Sequence, residues 1–188
     1  MTPPMSQDDA ALGRSISQHN APLARAASPN DASLGRSSPP GEAEGKGSIS
    51  PEQRAFLHEQ RVGRLATVDP AGHPHAVPIC YAELDGLVYT PIDEKPKSGD
   101  PRDLRRIRNL LANPRVCLVV DRYDDDWTRL RWLQVRGTAA LVDAPDERAR
   151  AHPALRARYP QYRTMALEAL PLIRITPTRL VGWSWSPA

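Results

Sequence analysis

The stretch VGRLATVDPAGHPHAVPICYAELDGLVYTPI, residues 62–92, limits the possible folds more than any other part of the chain. Its apolar, β-branched runs are broken by Asp69-Pro70-Ala71-Gly72 and by Leu84-Asp85-Gly86. Both are turn signals at hairpin spacing, so the stretch reads as a meander of three antiparallel strands. Pro78, within the second strand, cannot donate to a ladder, which puts that strand at an edge or breaks it there.

The flanking segments complete the pattern. In SISPEQRAFLHEQR, Ser50, Pro51 and Gln53 form a capping-box start, and Phe56, Leu57 and Val62 offer a short apolar face. DEKPKSGDP is a polar loop. PRDLRRIRNLLANP is a helix with an apolar stripe of Leu104, Ile107, Leu110 and Leu111, stopped at Asn113-Pro114. RVCLVVDRYD is apolar on both faces and reads as a central strand. RWLQVRGTAALVD is a long strand, in which Gly137 permits a bend or bulge. PDERARAHPALRARY is a helix interrupted at Pro153, and PLIRITPTRLVGWSW closes the chain as one or two strands. Five or six twisted antiparallel strands with few helices favour a small barrel: mostly β, with flanking helices. Residues 1–48 are rich in Ser, Pro, Gly, Ala, Asn and Asp without sustained periodicity, so they read as a disordered tail, and residues 49–188 as the domain.

Charge narrows the chemistry. The net charge is +3 at a pI of about 9.1, milder than a nucleic-acid binder usually shows. No apolar run is long enough to span a membrane, and no secretory signal is evident at the N-terminus. Cys80 and Cys117 read as free thiols in a reducing cytoplasm. Among 25 basic residues only Lys46, Lys95 and Lys97 are lysines. The last two flank Pro96, and Arg105, Arg106 and Arg108 follow on the helix. Stiffened ammonium groups and forked guanidinium groups in one stretch suit a phosphorylated ligand; a solvated basic loop is the plain alternative. Asp124, Asp125 and Asp126 read as a solvated turn with an Asx cap rather than a cation site. His73 and His75 are too few for a metal centre. Trp127, Trp132, Trp183 and Trp185 are equally suited to core packing and to stacking on a planar ligand. No motif for a covalent nucleophile is present. A barrel, a cationic loop and aromatic side chains together suit a planar, phosphorylated redox cofactor, with the protein supplying position and electrostatics.

RLATVDPAGHPHAVPICYA, LVYTPIDEKPK, LRRIRNLLANPRVCLVVDRYDDDW, RYPQY and VGWSW resemble the pyridoxamine 5′-phosphate oxidase-like split β-barrel family, closest to its F420-dependent oxidoreductases. The resemblance runs from about Glu52 to Trp185. It implies an antiparallel split barrel and a homodimer with F420, or alternatively FMN, in a groove between two barrels. His75, Val77, Pro78 and Ile79 would run along the ring system, and Tyr89 and Thr90 would lie near the ribityl-phosphate end. Lys95, Lys97 and Arg105 would meet phosphate, with Arg108 and Asn109 as further candidates. Trp132, and Trp183 from a partner chain, would wall the pocket. The implied reaction is hydride transfer to a small conjugated or quinone-like acceptor. No catalytic residue is assigned; Tyr81, His75 and Tyr123 are the candidates for supplying a proton. A non-catalytic cofactor- or haem-binding protein, with His73 and His75 as axial candidates, is the alternative of a different class.

Overall fold

The computed structural model describes residues 42–94 and 99–185, with the backbone alone for 42–46. Eight strands form one antiparallel sheet: β1 (Glu42–Lys46), β2 (Gly63–Val68), β3 (Pro74–Ile79), β4 (Ala82–Leu84), β5 (Leu87–Pro91), β6 (Arg115–Arg122), β7 (Arg131–Leu141) and β8 (Leu172–Ser184). Three helices accompany them: α1 (Pro51–Glu59), α2 (Arg105–Ala112) and α3 (Pro145–Arg158). The spatial order is β3-β2-β6-β7-β8-β5-β4, with β1 paired to the C-terminal half of β8. This is the mostly-β antiparallel barrel that the patterning suggests, in the split form that the resemblance implies.

The meander differs in one informative way. The expected second strand divides at Cys80-Tyr81 into β3 and β4, which stand at opposite ends of the strand order. β3 pairs only with β2, so Pro78 does sit on an edge strand. At the break, the Tyr81 N–H donates to the Tyr159 hydroxyl at 3.0 Å. Asp85 and Gly86, with φ of 54° and 80°, make the tight turn between β4 and β5, a conformation that Asp-Gly accommodates. At Gly137 the β7–β8 register shifts. A Cβ there would lie 2.1 Å from the Thr176 carbonyl oxygen, so the bulge requires glycine.

Two other expectations differ from the structure, and a third is narrowed. β1 lies within the stretch assigned to the tail; its EAEGK sequence carries no strand alternation, and the free half of the β8 edge recruits it. The final segment, expected as one or two strands, is a single 13-residue strand. Helix α3 runs through Pro153 without a break. The proline removes one N–H donor, yet Ala151, His152 and Leu155 on one face are buried and hold the helix together.

Two apolar clusters position everything else. Inside the barrel, Leu65, Val88, Leu118, Val135, Ile173 and Leu180 pack with Ile107 and Leu110 of α2 and Phe56 and Leu57 of α1. Between α3 and the β4–β5 edge, Leu155, Tyr159, Tyr162 and Leu167 pack with Ala82 and Tyr89. Ser50 and Gln53 form the reciprocal capping box, at 3.2 and 3.0 Å. No helix among the described residues is long and apolar enough to cross a membrane.

From the end of α3, the Tyr159 hydroxyl accepts the hydrogen bond of the Tyr81 amide at the β3–β4 break. Tyr159→Phe should therefore leave the Tyr81 amide unsatisfied and cost about 2 kcal/mol. Urea unfolding checks this: the midpoint should fall with an unchanged slope, and an unmoved midpoint would contradict the role.

Candidate active-site crevice

The unpaired side of β3 has an unusual donor pattern. The Asp69 N–H donates to the His73 carbonyl at 3.1 Å. Antiparallel alternation then makes Thr67–His75, Leu65–Val77 and Gly63–Ile79 the hydrogen-bonded pairs. Pro74, Ala76 and Pro78 therefore turn their backbone groups to the open edge. Two of these have no N–H, so the edge offers three carbonyls and a single donor, the Ala76 amide. The side chains of His75, Val77 and Ile79 are half-buried to buried, while Ala76 and Pro78 are exposed.

Helix α2 packs beside this strand with its buried face rotated from the expected stripe. Ile107 and Leu110 are buried as expected, but Leu111 is 67% exposed and Asn109 only 3%. The inward arc runs through Asn109, Arg106, Leu110 and Ile107. Asn109 Nδ2 donates to Thr67 Oγ1 at 3.0 Å, and Thr67 Oγ1 donates to the His75 carbonyl at 3.4 Å. This polar pair ties α2 to the β2–β3 hairpin at the level of His75.

The same rotation brings two guanidinium groups to the strand. Arg105 is exposed and reaches Asp69 Oδ2 at 3.5 Å. Arg106 is half-buried; desolvation lowers its pKa, and the nearby Asp93 carboxylate opposes that shift. His75 Nδ1 is buried without a hydrogen-bond partner. Burial first, then the charges of Arg105 and Arg106, lower the His75 pKa and hold the ring neutral. A partly desolvated cation and an unpartnered ring nitrogen beside a carbonyl-rich edge fit a ligand with both an anionic end and a hydrogen-bonding ring. That is the chemistry of a flavin-type cofactor.

The other predicted site residues distribute as follows. Val77 and Ile79 share the inward side of β3 with His75, and Pro78 lies on its outer side. Thr90 is buried on β5. Its neighbour Tyr89 points the opposite way, into the cluster against α3, where its hydroxyl donates to Glu147 at 2.9 Å. Burial and that carboxylate push the Tyr89 pKa up to about 12. Arg108 is exposed. Lys95 and Lys97 lie outside the described residues; Asp93, just before them, faces Arg106. Trp132 and Trp183 are direct cross-strand partners on the outer face of β7 and β8, both half-buried. From β3 to β7 is three strand spacings, roughly 14 Å, so neither indole shares one chain's crevice with β3.

Of the proton candidates, Tyr81 is fully buried, and its hydroxyl lies 2.8 Å from both the Leu57 and Gln60 carbonyls. Burial raises its pKa, so it is a structural group. Tyr123 is 73% exposed. Only His75 stands at the crevice. His73 is turned to Asp69, at 3.1 Å. Asp126 caps the Thr128 amide and Asp124 accepts from the Asp126 amide, which is the Asx-capped turn expected for the acidic cluster. Arg106 was absent from the residues carried over by resemblance, because the four arginines of RRIRN and its flank look equivalent until the buried arc of α2 is known.

A family model described as pyridoxamine 5′-phosphate oxidase matches residues 49–184. The chain belongs to that family. Within it, the chain is similar to a 5a,11a-dehydrotetracycline/5a,11a-dehydrooxytetracycline reductase from Streptomyces rimosus, at 31% identity over 132 residues, covering 68% of this chain and 78% of the relative. Among solved structures it is similar to a conserved hypothetical protein from Mycobacterium tuberculosis, with a TM-score of 0.59 and 25% identity, covering 71% of this chain and 82% of that one. It is also similar to an FAD-binding protein from Mesorhizobium loti, with a TM-score of 0.55 and 25% identity, covering 77% and 99%. These findings place the chain among flavin-type oxidoreductases of the split-barrel fold.

His75 and the buried His152 are both held neutral, chiefly by burial. The unfolded chain binds protons at these positions below about pH 6.5, whereas the folded chain resists until a lower pH. Their contribution to stability is therefore present above about pH 6.5 and declines as pH falls toward the depressed folded values. Urea midpoints measured across that window should decline less in His75→Gln and in His152→Gln than in the wild type. Identical declines in all three proteins would contradict the assignment.

Proposed function

We propose that this chain is an F420-dependent oxidoreductase of the pyridoxamine 5′-phosphate oxidase class. Reduced F420 supplies a hydride, and a small conjugated or quinone-like acceptor takes up that hydride together with one proton from solvent or a neighbouring side chain. The chain's own part is to hold the cofactor's anionic end with Arg105, Arg106, Lys95 and Lys97, and to present the β3 edge to its ring. His75, neutral and unpartnered, can accept or donate a hydrogen bond beside that edge. The observation that carries this reading is the half-buried Arg106 next to Arg105 and the orphaned His75 Nδ1, on a strand edge with one donor.

F420 is preferred to FMN because its tail carries a phosphodiester and several glutamate carboxylates, which matches four cations better than one phosphate does. Each rim pair contributes on the order of 1 kcal/mol after screening, so the excess orients the tail more than it anchors it. The same crevice loaded with FMN is the second reading, favoured by the similarity to the M. loti FAD-binding protein. We read the protein as a cytoplasmic homodimer. The supporting observation is the outer sheet face, where Cys117, Val119 and the cross-strand pair Trp132–Trp183 are half-buried, interspersed with Asp121, Gln134 and Arg136. A second copy would bring its indoles to a crevice that one chain's own Trp132 and Trp183 do not reach.

Arg105→Ala with Arg106→Ala should weaken F420 binding about tenfold or more at low salt. The loss should shrink as ionic strength rises. Fluorescence titration with F420, alongside absorption spectra after separate addition of FMN and of haem, reads the outcome. Unchanged F420 affinity in the double variant, or tight binding of FMN or haem with none of F420, would refute the assignment.

A further inference from the structure

Beyond the break that ends β3, the chain encloses a second cavity of about 280 Å³, walled by Arg61, Val62, Cys80, Tyr159, Tyr162 and Met165. Its walls come from three separate places: the residues before β2, the β3–β4 break, and the segment after α3. The lining is mainly apolar and aromatic. Cys80 is a free, half-exposed thiol, and Met165 is half-buried. Tyr159 and Tyr162 pack together with ring centroids 5.3 Å apart. At the mouth, Val62 is 44% exposed, and the exposed Arg61 lies with its guanidinium 4.9 Å from the centre of the Tyr159 ring. A cation stacked on an aromatic face is held in place before any ligand arrives.

One carboxylate outside the lining lies near both the cavity and the β3 edge. The Tyr162 hydroxyl lies 3.4 Å from Asp93 Oδ2, and Asp93 faces Arg106. The aromatic wall and the cationic crevice therefore share Asp93 between them.

We propose that this cavity binds the acceptor: a flat, fused-ring molecule with an acidic oxygen, its rings against Tyr159, Tyr162 and Met165 and its oxygen on Arg61. The acceptor role rests on the oxidoreductase reading above; the ligand class rests on the cavity alone. A cavity of roughly 150 Å³ holds benzene, so this volume suits about two fused rings, or one end of a larger ring system. An apolar box with one cation at its mouth selects an anionic or enolic edge on an otherwise apolar plate. Tyr162 is buried, and burial together with its contact to Cys80 raises its pKa. It enters such a complex as a neutral hydroxyl already committed to Asp93.

Cys80 makes occupancy readable without turnover. In full-length Cys117→Ser protein, Cys80 is the sole thiol, and its alkylation by iodoacetamide can be followed with and without 2-naphthoate. Saturable protection by naphthoate is expected. Arg61→Gln should weaken naphthoate about tenfold, the scale of one charge-assisted contact, while leaving uncharged 2-naphthol unaffected. Met165→Trp, which fills the box, or Val62→Trp, which blocks its mouth, should abolish protection by both ligands. F420 affinity in all three variants should stay within twofold of the parent. Alkylation indifferent to naphthoate, or equal affinity in Arg61→Gln, would overturn the proposal. Loss of F420 affinity in Met165→Trp would overturn it too, by making the cavity part of the cofactor crevice. Naphthoate protection in a protein that binds no F420 would uphold the ligand site and overturn the cofactor reading instead.

Discussion

The architecture hangs on two adjacent residues at the end of α3, Arg158 and Tyr159. The Arg158 guanidinium donates to the carbonyls of Leu57, His58 and Gln60, the last turn of α1 and its cap. Those groups have no partner within the helix, and a cation there also complements the helix dipole. The same guanidinium lies 5.1 Å from the centre of the Tyr81 ring. Tyr159 receives the Tyr81 amide, and its hydroxyl lies 2.8 Å from the carbonyls of Arg61 and Tyr81, one of which takes its single proton at a time. One dipeptide thus holds α1, the entry to β2 and the point where β3 gives way to β4. β2 offers β3 no partner beyond Gly63–Ile79, and the Tyr159 hydroxyl takes the amide just past that point, so the edge of β3 has a defined end.

That fixed end is what makes the crevice possible. An exposed strand edge normally invites another strand. Here two prolines remove two of the three outward donors, so a further strand would find two of its six backbone partners missing. A heteroaromatic ring with both donors and acceptors needs fewer. Helix α2 supplies the opposite requirement. Rotating Asn109 inward satisfies Thr67, and the same rotation carries Arg106 partly out of water. A half-buried guanidinium with a shared carboxylate is tolerable, and it gains when an anion arrives. In the proposed function, structure and binding are therefore coupled through one helix rotation.

Much of the fold was legible because its signals are local. Capping at Ser50, the Asp-Gly turn at 85–86, the edge position of Pro78 and the bulge at Gly137 are each decided by one or two residues and their backbone limits. What could not be read depends on partners distant in sequence. The β3–β4 break is enforced by Tyr159, 78 residues away. β1 forms because β8 is long enough to leave a free half-edge. The persistence of α3 through Pro153 follows from the burial of Leu155 against the β4–β5 edge. The site was legible as a stretch and not as a set. KPK and RRIRN raised the expectation of an anion, whereas the inward turn of Arg106, the outward turn of Leu111 and the diversion of Tyr89 to Glu147 follow from packing. RYPQY was visible only as part of a resemblance; the structure shows it as the latch of the barrel and one wall of a second cavity.

We propose that the open edge of β3 and the first turn of α2 together receive the cofactor. Amide hydrogen exchange with and without F420 tests it most directly. Added protection should concentrate at Ala76, the sole donor on that edge, and at Arg105–Ile107. Bound F420 that leaves both segments exchanging as in the free protein would contradict it.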